Sequence, residues 1–69
     1  MKNLTNATRV YIGQDRACRC GCQGKYWEPG TRGFKQAITK AQKLEADDVD
    51  ETYINFPYGN NRAITVYFD

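Results

Sequence analysis

The chain has 69 residues, of which 41% are hydrophobic and 26% charged, and it contains no histidine. This mixture is typical of one small soluble globular domain, residues 1–69, and is too apolar for a disordered chain. No apolar run approaches the roughly 20 residues of a membrane span, and the first residues lack a signal-peptide stretch. Catalysis by a Cys–His pair is excluded, and a cysteine nucleophile assisted only by Arg and Lys has no apparent acid–base partner, so we expect a protein that is not an enzyme.

The near-neutral net charge of +2 hides an uneven distribution along the chain. Residues 1–43 hold nine Lys/Arg and two Asp/Glu, a balance of +7, whereas residues 44–69 hold one Arg and six acids, a balance of −5. The basic part could face nucleic acid, a nucleotide or an acidic protein. Alternatively, the two blocks neutralise one another within the fold or between subunits.

The first predicted element is a strand over residues 8–12, because the segment alternates and is rich in β-branched residues. It is expected to end at Gly13. Residues 14–33 contain glycines, Pro29 and all three cysteines without a hydrophobic period, and they are predicted to form a long structured loop. Loops of about 20 residues tend to be functional or locally constrained.

A helix is predicted after this loop, with Thr31 as its N-cap and its end near Ala46. Its apolar stripe consists of Phe34, Ala37, Ile38, Ala41 and Leu44, and its polar face of Lys35, Gln36, Lys40, Lys43 and Glu45. The acidic run 47–51 is interpreted as a solvated connector, with a cation or basic-partner site as the alternative.

Two further strands are predicted over residues 52–56 and 63–68, joined by a hairpin turn at residues 58–61. Pro57 should close the first of them or lie at a bulge. The expected architecture is α+β: an antiparallel sheet of about three strands, in the order β-loop-α-β-β, with one amphipathic helix packed on one face.

Cys18, Cys20 and Cys22 alternate within five residues. A straight strand would separate successive sulfurs by roughly 7 Å, too far for shared zinc ligands, although a bent loop could bring them together. Zinc is therefore one interpretation, with Asp15, Glu28, water or another subunit's thiolate as the fourth ligand. The alternatives are intermolecular disulfides, a thiol activated by nearby cations, and reduced cysteines that fill the core without any cofactor.

Two candidate binding surfaces follow from these elements. The first is the sheet face away from the helix, an oligomer or base-stacking face formed by Arg9, Tyr11, Tyr53 and Tyr67 together with Asn55 and Thr65. The second is a basic and aromatic surface formed by the loop and the helix start: Arg16, Arg19, Lys25, Tyr26, Trp27, Thr31, Arg32 and Gly33. Trp27 either stacks on a ligand beside Tyr26 or folds back over the small core.

The segments Tyr11-Ile12-Gly13, residues 18–26 (CRCGCQGKY) and Val66-Tyr67-Phe68 resemble a group of small bacteriophage-encoded proteins with a YxG…CxCGCxGxY core and a C-terminal aromatic strand. The resemblance implies an accessory protein in the cytoplasm of a bacterial host, without an assigned activity. The sequence thus favours a non-enzymatic protein that captures or inhibits a host protein, nucleotide or nucleic acid. A zinc-stabilised nucleic-acid-binding module and a structural homo-oligomer are the alternatives.

Overall fold

Five antiparallel strands and one α-helix make up most of the computed structural model, which describes residues 3–15 and 24–69. The strands follow the order β2-β1-β5-β4-β3 in the sheet. The α+β class is confirmed, but the expected number of about three strands is too low. The elements are a short 3-10 helix Leu4–Asn6, β1 Arg9–Gln14, β2 Gly24–Trp27, α1 Arg32–Ala41, β3 Asp48–Val49, β4 Tyr53–Gly59 and β5 Arg62–Tyr67.

α1 begins where the sequence predicts and ends somewhat earlier. The Thr31 side chain accepts a hydrogen bond of 3.2 Å from the Phe34 backbone N–H, which confirms Thr31 as the N-cap. The helix ends at Ala41, and turn hydrogen bonds continue as far as Leu44. The early end fits the acidic run that follows, because carboxylates are unfavourable at the negative end of a helix dipole.

The predicted hairpin joins β4 and β5. Asn60 and Asn61 both adopt positive φ, at 56° and 60°, the conformation that the turn between right-twisted strands requires. The register shifts between Pro57 and Gly59, so Pro57 lies next to a bulge and the strand continues past it.

Two strands lie in segments for which the sequence predicted none. β2 falls inside the expected loop 14–33 and pairs antiparallel with β1, so that Tyr26 lies opposite Tyr11. β3 falls inside the acidic connector and pairs with β4. The prediction that Gly13 ends the first strand is also wrong, because Gly13 pairs with residues on both sides and β1 reaches Gln14.

The hydrophobic core lies between α1 and one face of the sheet. All five residues of the helical stripe pack there, with Leu44 only partly buried. They meet the apolar residues of the strands, which are Val10, Ile12, Ile54, Phe56, Ile64, Val66 and Phe68. Val10, Val66 and Ile64 are the largest fully buried side chains. Neither helix in the described ranges has the length and apolar character needed to cross a membrane.

Candidate functional site

The outer face of α1 is a basic surface. Its side chains line a shallow groove of about 480 Å³ formed by Arg32, Lys35, Gln36, Thr39, Lys40 and Lys43. All six residues are exposed. They recur at the spacing that places side chains on one side of a helix, while the opposite side packs into the core. We call this set of six residues the basic face.

No acidic side chain neutralises the basic face within the described part of the chain. α1 itself contains no Asp or Glu. Among residues 3–15 and 24–69, one ion pair is formed: a guanidinium nitrogen of Arg9 lies 3.1 Å from a carboxylate oxygen of Asp69. Neither residue belongs to the basic face. Lys40 makes a cation–π contact instead of an ion pair, because its ammonium nitrogen lies 3.9 Å from the centroid of the Tyr58 ring. The remaining cations Arg32, Lys35 and Lys43 are positioned to meet an anion from solution.

Trp27 and Lys25 extend this surface toward the start of α1. The Trp27 indole packs directly on Gly33 in the first helical turn and against the core, so the alternative that Trp27 folds back over the core is confirmed. The ammonium nitrogen of Lys25 lies 4.3 Å from the centroid of the Trp27 ring. Trp27 is therefore half-buried against the first turn of α1, and its ring makes a cation–π contact with Lys25.

Tyr26 does not share this surface. Successive residues of a strand point to opposite sides of a sheet, so Tyr26 faces away from Lys25 and Trp27. Its ring centroid lies 4.8 Å from that of Tyr11 and 6.0 Å from that of Tyr67. The predicted stacking platform of Trp27 beside Tyr26 is therefore wrong, because the two rings are on opposite faces of the sheet.

The sheet face away from α1 carries the predicted tyrosines but is not open. Tyr11 and Tyr67 are only 3% and 6% exposed. The guanidinium carbon of Arg9 lies 4.4 Å from the centroid of the Tyr67 ring and 5.5 Å from that of Tyr26. The Tyr53 ring lies 6.3 Å from Tyr67. The predicted orientation of the tyrosines is confirmed, but the rings of Tyr11 and Tyr67 are covered within the chain and are not exposed on this face.

A polar network that the sequence did not predict lies on the same face. Asn55 is 4% exposed, and its amide nitrogen donates hydrogen bonds of 2.9 Å to the carboxylates of Asp15 and Asp47. Its side-chain oxygen accepts a hydrogen bond of 2.9 Å from the Thr65 hydroxyl. Asn55 thereby ties the end of β1 to the start of the acidic connection, a long-range role that no local pattern indicates.

The remaining predicted site residues lie outside the described residues. These are Arg16 and Arg19 of the basic surface and the three candidate metal ligands Cys18, Cys20 and Cys22. Within residues 3–15 and 24–69, no three acidic or cysteine side chains converge in a way that could hold a metal ion. Of the candidate fourth ligands, Asp15 belongs to the Asn55 network, and the Glu28 backbone carbonyl accepts a hydrogen bond from Thr31.

Comparisons of the chain with protein-family models, with curated proteins and with solved structures find no match. The resemblance to small phage-encoded proteins thus stays a prediction. The surfaces themselves carry the functional argument. Of the predicted binding residues only Arg32 belongs to the basic face, but this face is exposed, of one sign and carried largely by α1, so it is the strongest candidate among the described residues.

Proposed function

We propose that the chain is a small, non-enzymatic binding protein that captures an anionic factor on the basic face of α1. In the setting implied by the resemblance to phage-encoded proteins, this factor belongs to a bacterial host and the protein acts in the host cytoplasm. The observation that carries the proposal is an exposed helical face with four cations and no acidic side chain of its own.

The length of the basic face favours an extended polyanion over a single nucleotide. Arg32 and Lys40 are eight residues apart in α1, which corresponds to about 12 Å along the axis, and Lys43 lies in the turn just beyond the helix end. Several negative groups spread over that length can contact several cations at once. Nucleic acid meets this requirement with its regular phosphates, so it is the form of the anionic factor that we put to the test.

The experiment uses a pair of identical isosteric substitutions. Gln36→Glu adds a carboxylate to the middle of the basic face, and Gln14→Glu makes the same change at an exposed position at the end of β1. Binding of a fluorescein-labelled oligonucleotide, single-stranded or duplex, is followed by anisotropy across a salt series. A new charge about 4 Å from a phosphate costs about 1 kcal/mol in water, so Gln36→Glu should weaken binding about fivefold.

The wild-type affinity should fall with salt at a log–log slope of about −3, as expected for three or four phosphate contacts. Gln14→Glu should leave both the affinity and the slope unchanged. Equal weakening by the two variants would contradict a site on α1. If neither oligonucleotide binds but polyglutamate does, with the same dependence on Gln36, the anionic factor is an acidic protein surface.

A further inference from the structure

A second surface lies beyond the C-terminal end of α1, where an apolar groove opens between the 3-10 helix, the last turn after α1 and the edge of the sheet. The groove has a volume of about 1130 Å³. Its apolar lining comprises Leu4, Ala41, Leu44, Ala46, Val49, Ile54 and Phe56. We call it the C-terminal groove. It is separate from the basic face, with which it shares no lining residue.

Val49 gives this groove an exposed apolar wall. Its side chain is 68% exposed. Within the described part of the chain, Val49 is the one large hydrophobic residue that is exposed. It lies on β3, the two-residue strand at the edge of the sheet. Ile54 and Phe56 form the floor and are 4% and 7% exposed. An apolar floor with an exposed apolar rim is typical of a surface that a partner's side chains cover.

The charged side chains at the groove all have one sign. Glu45 and Asp50 line it, both are exposed, and no Lys or Arg among residues 3–15 and 24–69 does so. The surrounding segment 45–51 carries three more acids and no basic residue. A segment that docks here therefore meets apolar surface at the floor and negative charge at the rim, which is complementary to an amphipathic segment flanked by Lys or Arg.

We propose that the C-terminal groove docks a basic amphipathic segment of a partner protein, with apolar anchors against Ile54, Phe56 and Val49 and cations toward Glu45 and Asp50. The acidic rim disfavours nucleic acid and anionic lipid, because both would bring like charge to it. A second copy of the chain offers its basic face as the matching charge, but that face carries no large apolar anchor for the floor.

The probe is a fluorescein-labelled helical peptide of about 14 residues that contains only Leu and Lys, with Leu on one face. A Leu/Glu peptide of the same pattern and a Ser/Lys peptide without apolar anchors are the matched probes. Anisotropy should show that the Leu/Lys peptide binds at least tenfold tighter than either. Amide shifts in NMR spectra should concentrate around Leu44 and Val49 and spare the outer face of α1.

Two substitutions locate the binding. Val49→Ser removes an exposed apolar wall and should weaken the Leu/Lys peptide roughly fivefold while leaving the thermal midpoint unchanged. Glu45→Gln removes one of the two carboxylates that line the groove and should weaken binding of the Leu/Lys peptide severalfold. Glu28→Gln, the same change on an exposed acid outside the groove, should have no effect. Gln36→Glu on the basic face should likewise leave peptide binding unchanged, so this test and that of the proposed function fail independently.

Several results would overturn the proposal. They are binding of the Leu/Glu peptide in the groove, seen as amide shifts around Leu44 and Val49, as tight as that of the Leu/Lys peptide, no binding of the Leu/Lys peptide, or equal effects of Glu45→Gln and Glu28→Gln. Leu/Glu binding that Gln36→Glu weakens belongs to the basic face and is separated by its shifts on the outer face of α1. Self-association that Val49→Ser abolishes would assign the groove to a second copy. Binding that appears only after residues 1–2 are removed would assign it to the chain's own N-terminus.

Discussion

Gly33→Ala tests whether the packing of Trp27 on α1 outweighs helix propensity. A Cβ at residue 33 would lie 2.6 Å from Cε2 of Trp27 and closer still to two other ring atoms, well inside van der Waals contact. The indole must therefore move away from the first turn of α1. Propensity alone predicts the opposite outcome, since alanine is more favourable than glycine in a helix by up to about 1 kcal/mol.

The expected balance follows from the burial of the ring. Truncating a well-buried Trp costs roughly 3–5 kcal/mol. Trp27 is half-buried and packs at the margin of the core, so displacing it should cost about half of that, roughly 2 kcal/mol. Subtracting the gain in propensity leaves a net loss of about 1 kcal/mol in the free energy of unfolding. Lys25 loses its position over the ring as well.

Urea unfolding followed by far-UV circular dichroism measures this loss, and Trp27 reports on its own surroundings because the chain contains one tryptophan. The native emission maximum of Gly33→Ala should shift to the red. In a Trp27→Ala background the same substitution should become stabilising, since no ring opposes the new methyl group. Gly30→Ala is the control: with φ at +92° and no atom within 4 Å of the added Cβ, it should destabilise without moving the emission. A more stable Gly33→Ala with unchanged emission would refute this reasoning.

Two further substitutions test interactions on the face away from α1. Asn55→Ala leaves two carboxylates without their amide donor, and urea unfolding should show a loss of about 2–3 kcal/mol. Thr65→Val removes one neutral hydrogen bond of the same network and should lower the free energy of unfolding by about 1 kcal/mol. Equal losses for the two variants would mean that the hydrogen bonds to the carboxylates do not contribute more to stability than the bond from Thr65. Asp69→Asn breaks a pair with Arg9 in which both side chains are about one-third exposed, so the thermal midpoint should change by the equivalent of less than about 1 kcal/mol. A larger loss would mean that the carboxylate of Asp69 fixes Arg9 over the tyrosine rings.

Local patterns predicted the elements that local interactions determine. The apolar stripe and the Thr31 cap define α1 without reference to the rest of the chain, and the two asparagines of the hairpin adopt the positive φ that their side chains tolerate. β2 was not predicted because Gly24–Trp27 has no clear alternation and becomes a strand through pairing with β1. β3, at two residues, depends in the same way on β4.

In the candidate site, too, the sequence predicted what local patterns determine and missed what contacts between distant residues determine. Alternation correctly placed Tyr11 and Tyr67 on the face away from α1, but it could not show that other parts of the chain bury them. The sequence assigned Lys35 and Lys43 to the polar side of the helix and placed the binding surface in the loop before it. The available signal was the run of four cations without an acid between residues 32 and 43, which predicts a one-sign surface once the helix is folded.

The boundary between basic and acidic sequence near residue 44 accounts for both proposed surfaces. Lys40 and Lys43 lie where positive charge is favourable, at the carboxyl end of α1 and just after it, while the acids that follow would be unfavourable as a further helical turn. The helix therefore ends, and Leu44 packs only partly buried against the core and lines the C-terminal groove together with Leu4. The same boundary keeps the outer face of α1 free of acids and gives the C-terminal groove its acidic rim. Because the two surfaces have opposite sign and separate linings, we expect the proposed anionic ligand and the proposed basic segment not to compete for the same residues.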